Sequence, residues 1–375
     1  MKIIICVNSA WNLVNFRANL IKALVAKGHT VVALAPNDKY APTLALLGCR
    51  MVHLHMDNGG TNPFKDLILT WRFYRILSKE LPNIFLGYTA KPNIYGSLMA
   101  HSLGIFVINN ISGLGTVFIK NGFLEHIVRW LYKVALKKSS KIFFQNDDDR
   151  ELFINDGLVK SGFTDLLPGS GVNLNYFLPA ALPSSNQENS KFRFLLIGRM
   201  LRDKGILEFV EAANLIRSQW PQAEFCLVGV VDAKNPTAIT REEVEGWVAA
   251  GAVNYLGVSD DIRSEISSAD CVVLPSYREG APRCLMEAAS MARPIITTDA
   301  IGCREVIDDG ISGYICKVGD AEDLARKMIK MLVLPTSDRI SMGLQGRLKM
   351  EAKFSEQFVI DKYLQAIADI EQLKN

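Results

Sequence analysis

Phe192-Arg193-Phe194-Leu195-Leu196-Ile197-Gly198-Arg199-Met200-Leu201-Arg202-Asp203-Lys204-Gly205 is the stretch that decides the fold. Its first six residues are dominated by Phe, Leu and Ile and read as a strand buried on both faces. A glycine ends the run, a short charged loop follows, and residues 206–218 continue with apolar positions at helical spacing. That strand–loop–helix order opens a doubly wound α/β domain. Toward the C-terminus the pattern predicts further strands at 224–229, 253–257, 271–275, 294–298 and 313–316. Toward the N-terminus, residues 178–190 turn to Pro, Ser, Asn and Gln without an apolar period, which marks a linker. Before it a second alternation runs through strands at 3–7, 30–35, 51–56, 84–89, 105–109, 141–145 and 165–167, with helices at 16–27, 63–81 and 123–138. The expectation is therefore an α/β chain of two doubly wound Rossmann-like domains, 1–177 and 191–353, facing each other across a cleft. Open sheets of this kind bind ligands outside the carboxyl ends of their strands. A terminal helix over 354–375 has no strand after it, so it can cap either domain, including by crossing back to the N-terminal one.

Composition narrows the class. At 375 residues with 49% hydrophobic content, the chain is longer than one core usually grows, and a disordered scaffold is excluded. No window approaches 18 consecutive apolar residues, so no membrane-spanning helix is expected. Asn8, Ser9, Asn12 and Asn15 interrupt the apolar start before a signal-peptide core can form. Seven cysteines lie singly, without a C-x-x-C pair, which fits a reducing, cytoplasmic location and argues against a zinc site or disulfide framework. The net charge of +3 hides an asymmetry. Residues 1–170 hold 19 Lys and Arg against 11 Asp and Glu, a balance of +8, leaving −5 for the remainder.

Two loops carry candidate chemistry. In the first, Gly198 allows close approach to the backbone, and Arg199 and Lys204 can converge on phosphates at the N-terminus of the following helix. The same two cations can equally be solvated loop residues. The second loop is Pro275-Ser276-Tyr277-Arg278-Glu279-Gly280-Ala281-Pro282-Arg283-Cys284-Leu285-Met286-Glu287. Pro282 stands where a first helical residue is expected. That puts Glu279 before the helix and Glu287 on it, roughly 7.5 Å past Pro282 at 1.5 Å per residue. Two carboxylates so placed suit the hydroxyls of an elongated sugar-bearing ligand, with the amides of Gly280 and Ala281 facing a diphosphate between them. The competing arrangement pairs Arg283 with Glu287 at i, i+4 as a surface salt bridge.

These residues carry a family resemblance. Glu279 and Glu287 form an E-x7-E pattern, preceded by G-R…K-G at 198–205 and P-S-x-x-E-G at 275–280. Ile301-Gly302-Cys303-Arg304-Glu305-Val306-Ile307-Asp308-Asp309-Gly310 follows. In this order they resemble retaining family 4 glycosyltransferases of the GT-B fold, over nearly the whole chain. Thr89-Ala90-Lys91-Pro92-Asn93, Gly113-Leu114-Gly115 and Gly169-Ser170-Gly171-Val172-Asn173 are similar to enzymes that extend a sugar on undecaprenyl diphosphate, notably N-acetylgalactosaminyltransferases. The resemblance implies a hexosyltransferase without metal or cofactor. Arg199 and Lys204 would hold the diphosphate as leaving group and Glu279 the transferred sugar. Glu287 would hold the ribose, Gly198, Gly280 and Ala281 the donor through their backbone, and Gly257 and Val258 the base. Asn12, Lys91, Asn110, Gly113 and Gly115 would lie on the acceptor side. The implied partners are a UDP-sugar and a lipid-diphosphate-linked sugar at the inner membrane face, in O-antigen, capsule or related polysaccharide biosynthesis. Rival readings are a UDP-sugar epimerase of the same fold, a transferase with a soluble acceptor, and a non-catalytic partner protein. Two departures from the family stand out. Asn8-Ser9-Ala10-Trp11-Asn12 replaces a glycine-rich loop, and Asn109-Asn110-Ile111-Ser112 stands where many members have a histidine.

Other signals are weaker. Asp147-Asp148-Asp149 imitates a metal-binding D-x-D but opens a helix, where acids favour the dipole. His53 and His55 share one strand face without a third ligand nearby. Residues 118–144 interleave Lys120, Arg129, Lys133, Lys137, Lys138 and Lys141 with Phe123, Ile127, Trp130, Leu131 and Val134, a basic amphipathic pattern that can dock on an anionic membrane or pack inward. Nucleic acid is a poor partner, because no binding motif accompanies these cations.

Overall fold

The computed structural model describes residues 1–373 apart from 58, 59, 61, 114–122, 184–190, 232–234 and 236. The chain divides into two units, Met1–Ser170 with Gln357–Asn375, and Gly171–Glu356.

In the first unit β1 (Lys2–Cys6), β2 (Thr30–Ala35), β3 (Arg50–His53), β4 (Ile84–Tyr88), β5 (Phe106–Ile111), β6 (Lys141–Phe144) and β7 (Thr164–Leu166) form a parallel sheet in the order β3-β2-β1-β4-β5-β6-β7. Strand side chains alternate between faces. Ile3 and Ile5 therefore join Val31, Ala33 and Leu86 on one side, while Ile4 and Cys6 join Val32, Leu34 and Phe85 on the other. Apolar residues on both faces explain why these strands read as unbroken runs. From Gln357 onward the C-terminal helix Glu356–Gln372 belongs to this unit, where Val359, Tyr363, Ile367 and Ile370 pack in the core of Ile3 and Ile5.

The helix expected over 16–27 runs from Ala18 to Ala26, and a separate helix, Ala10–Phe16, precedes it, the two divided at Arg17 (φ −133°). Arg17 is buried, with its guanidinium 4.4 Å from the centre of the Tyr88 ring. β5 runs past the expected residue 109 because its asparagines are satisfied internally. Asn109 Nδ2 donates to Asn93 Oδ1 (2.9 Å) and Ser97 Oγ (2.8 Å), and Ser139 Oγ donates to Asn109 Oδ1 (2.6 Å). The first unit ends at Ser170 and not at 177, since Val172 and Phe177 pack in the core of the second.

The second unit repeats the architecture with β8 (Phe192–Ile197), β9 (Ala223–Val228), β10 (Asn254–Tyr255), β11 (Cys271–Leu274), β12 (Ile295–Thr298) and β13 (Gly313–Cys316). All are parallel, in the order β10-β9-β8-β11-β12-β13. The order reverses between β8 and β11, the switch point at which doubly wound sheets open a ligand crevice. At the start of the expected linker, fully buried Arg293 donates to the carbonyls of Ala180 (2.9 Å) and Ala181 (2.7 Å), so these residues are fixed to the second unit.

Candidate active site

The loops leaving β8 and β11 lie side by side. Tyr277 N donates to the Asp203 carbonyl (3.0 Å), and Ser276 Oγ lies 3.0 Å from the same oxygen. Gly205, at φ +72°, lies so close to Pro275 that a Cβ there would collide with the proline carbonyl. Its αL conformation turns the chain from the 3-10 turn Arg202–Lys204 into the helix Ile206–Ile216, which has no side-chain cap. The helix Arg283–Ser290 likewise has no side-chain cap, and Pro282 is its N-cap, one position before the first helical residue expected of it. Two helix N-termini therefore open at the carboxyl end of the sheet without capping side chains, each carrying the partial positive charge of a helix start.

Lys204 Nζ pairs directly with Glu279 Oε1, and Ser276 Oγ is 2.8 Å from the same oxygen. Burial disfavours the Lys204 ammonium, yet the Glu279 charge and hydrogen bond outweigh it and hold the amine above its ordinary range. Glu287 is 8% exposed, and Arg283 Nε donates to its Oε1 at 2.6 Å. Here burial prevails over the arginine, so the Glu287 carboxyl is raised above the ordinary glutamate range. The i, i+4 pair thus exists, but its carboxylate is not a surface charge. Burial drives the Cys284 thiol up, with Lys204 opposing the rise and Glu279 and Glu287 adding to it.

Arg199 is not drawn into this cluster. It is exposed after β8, and no hydrogen bond or ion pair of its side chain is seen among the described residues. Gly198 N donates to the Val228 carbonyl (2.9 Å), and Gly229 N donates to the Gly257 carbonyl (2.8 Å), which laces the exits of β8, β9 and β10 together. Val258 follows at 63% exposure. Gly280 and Ala281 are half-buried beside Glu279.

Several positioning residues escaped the sequence reading. Ser276 holds Glu279, and Thr298 Oγ1 in turn donates to the Ser276 carbonyl (2.5 Å). Glu279 N donates to the Ile301 carbonyl (2.9 Å), while Gly302 at φ +82° passes so close to the Glu279 carbonyl that a side chain has no room. The late glycine motif therefore serves as a backstop for Glu279. Its glycine was the available signal, since αL backbone and close approach both select that residue.

In the first unit two of the residues expected on the acceptor side, Asn110 and Lys91, already have side-chain partners. Asn110 is 1% exposed and committed to core partners, donating to Tyr363 Oη (3.0 Å) and accepting from Gln145 Nε2 (3.2 Å). Lys91 is paired with Asp66 at 2.7 Å, which also accepts from Tyr95 Oη at 3.0 Å. Asn12 lies in the first turn capped by Ser9 Oγ, and Gly113 adopts φ +118°. Gly115 and Lys120 lie outside the described residues. Asp147–Asp149 occupy the first turn of the helix Asp147–Asn155, whose cap is Asn146, accepting from Asp149 N (2.8 Å). His53 Nδ1 accepts from Asn37 N at 3.0 Å.

Two family models match the chain, one described as "Glycosyl transferase 4-like" over residues 2–146 and one as "Glycosyl transferases group 1" over residues 191–333. A Campylobacter jejuni N,N'-diacetylbacillosaminyl-diphospho-undecaprenol alpha-1,3-N-acetylgalactosaminyltransferase is 30% identical over 371 residues, covering 94% of each chain. The chain belongs to this glycosyltransferase family. It is an enzyme of the GT-B type. An Escherichia coli UDP-Gal:alpha-D-GlcNAc-diphosphoundecaprenol alpha-1,3-galactosyltransferase is 26% identical over 310 residues, covering 80% of this chain and 75% of that one. Among solved structures, a sucrose-phosphate synthase from Thermosynechococcus elongatus matches with a TM-score of 0.82 at 20% identity, covering all of both chains, and so shares the fold of this glycosyltransferase.

Proposed function

We propose that this glycosyltransferase moves a hexose or N-acetylhexosamine, with retention, from a UDP-sugar to an undecaprenyl-diphosphate-linked sugar in the assembly of a bacterial surface polysaccharide. The observation that carries this reading is the Lys204–Glu279 ion pair joining the loops after β8 and β11, beside two helix N-termini without capping side chains. Donor and acceptor class are supported by the printed activities of the Campylobacter and Escherichia relatives. In this reading the second unit takes the donor and the first the acceptor.

The chemistry follows from charge. The C1–O bond to the diphosphate breaks, its electron pair leaves on the phosphate oxygen, and the acceptor hydroxyl forms the new C1–O bond while its proton passes to the departing diphosphate. Lys204, kept protonated by its surroundings, and Arg199 from the exit of β8 stabilise the departing diphosphate. Glu279 accepts from sugar hydroxyls and Glu287 from the ribose diol, while the amides at Gly280 and Ala281 face the phosphates. Gly198 lets the diphosphate approach the backbone, and the Gly257–Val258 turn lies where the base is read. The protein works at the inner membrane face, held there by its basic N-terminal half. The helix Phe123–Leu136 supports this, since it buries Tyr132, Ala135 and Leu136 yet leaves Ile127, Trp130 and Val134 exposed beside Lys133.

The test is to screen UDP-sugars for binding and assay the best with a synthetic lipid-diphosphate-linked sugar. Transfer to that acceptor supports the reading. Altered sugar stereochemistry from donor alone would make the protein an epimerase, and transfer only to water-soluble sugars would overturn the lipid acceptor.

A further inference from the structure

The helix Pro63–Glu80 carries two apolar stripes. Leu69, Phe73 and Leu77 point into the core with Ile4 and Val32. On the solvent side Phe64 (79% exposed), Leu67 (68%), Ile68, Trp71 and Tyr74 recur at three- and four-residue spacing. Exposed apolar stripes of this size mark an interaction surface, because an ordinary surface helix is polar on its outer face. Beside the stripe, between this helix and the edge strand β3, runs a groove of about 590 Å³ whose lining includes Arg50, His53, His55, Arg72, Arg75 and Lys79.

The charge of this face is one-sided. Glu80 pairs with Lys2 (2.7 Å) and with Arg50, Asp66 with Lys91 (2.7 Å), and Asp57 with Lys65 (2.8 Å), so the nearby acids are already neutralised. Arg72 donates to the His55 carbonyl (2.9 Å), which leaves its charge uncompensated. Arg75 rests 4.7 Å from the centre of the Trp71 ring, and Lys79 has no ion pair among the described residues. A second copy docked by two-fold symmetry would set these cations against themselves.

We infer that this face docks on an anionic phospholipid surface, with the groove receiving phosphate-bearing headgroups and the stripe from Phe64 to Tyr74 entering the boundary with the acyl chains. Trp and Tyr favour that boundary, and each cation near an anionic leaflet adds to the attraction. This inference rests on the proposal that the acceptor is anchored in a membrane. It names a surface separate from the helix Phe123–Leu136.

Sedimentation of the full chain with vesicles of phosphatidylcholine, with and without phosphatidylglycerol, tests it. The wild type is expected to bind the phosphatidylglycerol vesicles preferentially. Arg75→Glu/Lys79→Glu should weaken that binding at least about tenfold, and Leu67→Ser/Trp71→Ser should weaken it on both compositions. All four positions are exposed, and circular dichroism checks the fold. Should a double variant misfold, Arg75→Gln/Lys79→Gln takes its place. Wild-type binding matched by every folded variant overturns this surface while leaving membrane attachment standing elsewhere. Absence of wild-type binding to either vesicle overturns both.

Discussion

Lys204 and Glu279 form an ion pair at the exit of β8, and a pyrophosphate would compete with the glutamate for the same ammonium. Lys204→Ala should therefore lower kcat by about 10²–10³, the usual cost of losing one preorganised charge at a reacting centre. Far-UV dichroism should stay unchanged, and unaltered turnover would remove the lysine from the phosphate site. Glu287 makes the opposite argument, because its burial works against its own charge. Its folded-state pKa is raised, so the stability it contributes is complete below the ordinary glutamate range and declines as pH rises through the raised value. Glu287→Gln should then raise the melting temperature at neutral pH, by about 2–4 °C per kcal/mol of relieved charge burial, and weaken donor binding. The stabilisation should fade as pH falls below the ordinary glutamate range, and a gain that persists in acid would sink the explanation. At this scale the sequence was partly legible. The spacing of Glu279 and Glu287 and their position about a helix start could be read, because helical rise fixes it. Ser276 and Thr298 could not, since their role depends on strands distant in sequence meeting at one sheet end.

Strands β1, β2, β4, β8, β9 and β11 to β13 begin and end within two residues of the expected runs, because parallel strands buried on both faces are predominantly apolar. The helices expected at 16–27, 63–81 and 123–138 appear as Ala18–Ala26, Pro63–Glu80 and Phe123–Leu136, while the short helix Ala10–Phe16, which ends at an Arg17 packed over the Tyr88 ring, was not read. Along Pro63–Glu80 two superposed stripes blur the helical period, so its length was legible but its outward face was not. The loop from Ile301 to Gly310 offers a controlled comparison between two glycines at positive φ. At Gly302 (φ +82°) a Cβ would strike the Glu279 carbonyl, whereas at Gly310 (φ +75°) it would meet nothing within 4 Å. Both alanine substitutions incur the left-handed penalty of about 1–2 kcal/mol. Only Gly302→Ala should also displace Glu279, and a shift near 1 Å costs on the order of 10²-fold in rate. Melting temperatures should thus fall in both variants and kcat in one alone; equal kcat losses would refute the backstop role.

The chain passes between its two units twice, at Ser170–Gly171 and at Glu356–Gln357, and in the second unit the two passes pair as Val172 N to Phe354 O (2.9 Å) and Glu356 N to Val172 O (3.0 Å). Gly171, at φ +67°, has Glu356 backbone where a Cβ would stand, so the pairing depends on that glycine. The consequence is that the first sheet is completed by the last helix. Val359 (4% exposed), Tyr363 (1%), Ile367 (1%) and Ile370 (2%) fill the core over Ile3 and Ile5, and Tyr363 Oη takes the amide of buried Asn110. Each large side chain contributes about 1.5–3 kcal/mol on burial, so four of them rival the whole stability of a domain, about 5–15 kcal/mol. Residues 1–170 alone should therefore fail to unfold cooperatively, although they contain every strand of their sheet. Joining residues 357–375 to them through a flexible linker should restore a single calorimetric transition. Tyr363→Phe within that joined chain should lower its midpoint by leaving the Asn110 amide unpaired inside the core, at about 1–3 kcal/mol. A cooperative transition in residues 1–170 without the helix would show that the core closes on its own, and that the last helix is an ornament of the first unit and no part of its foundation.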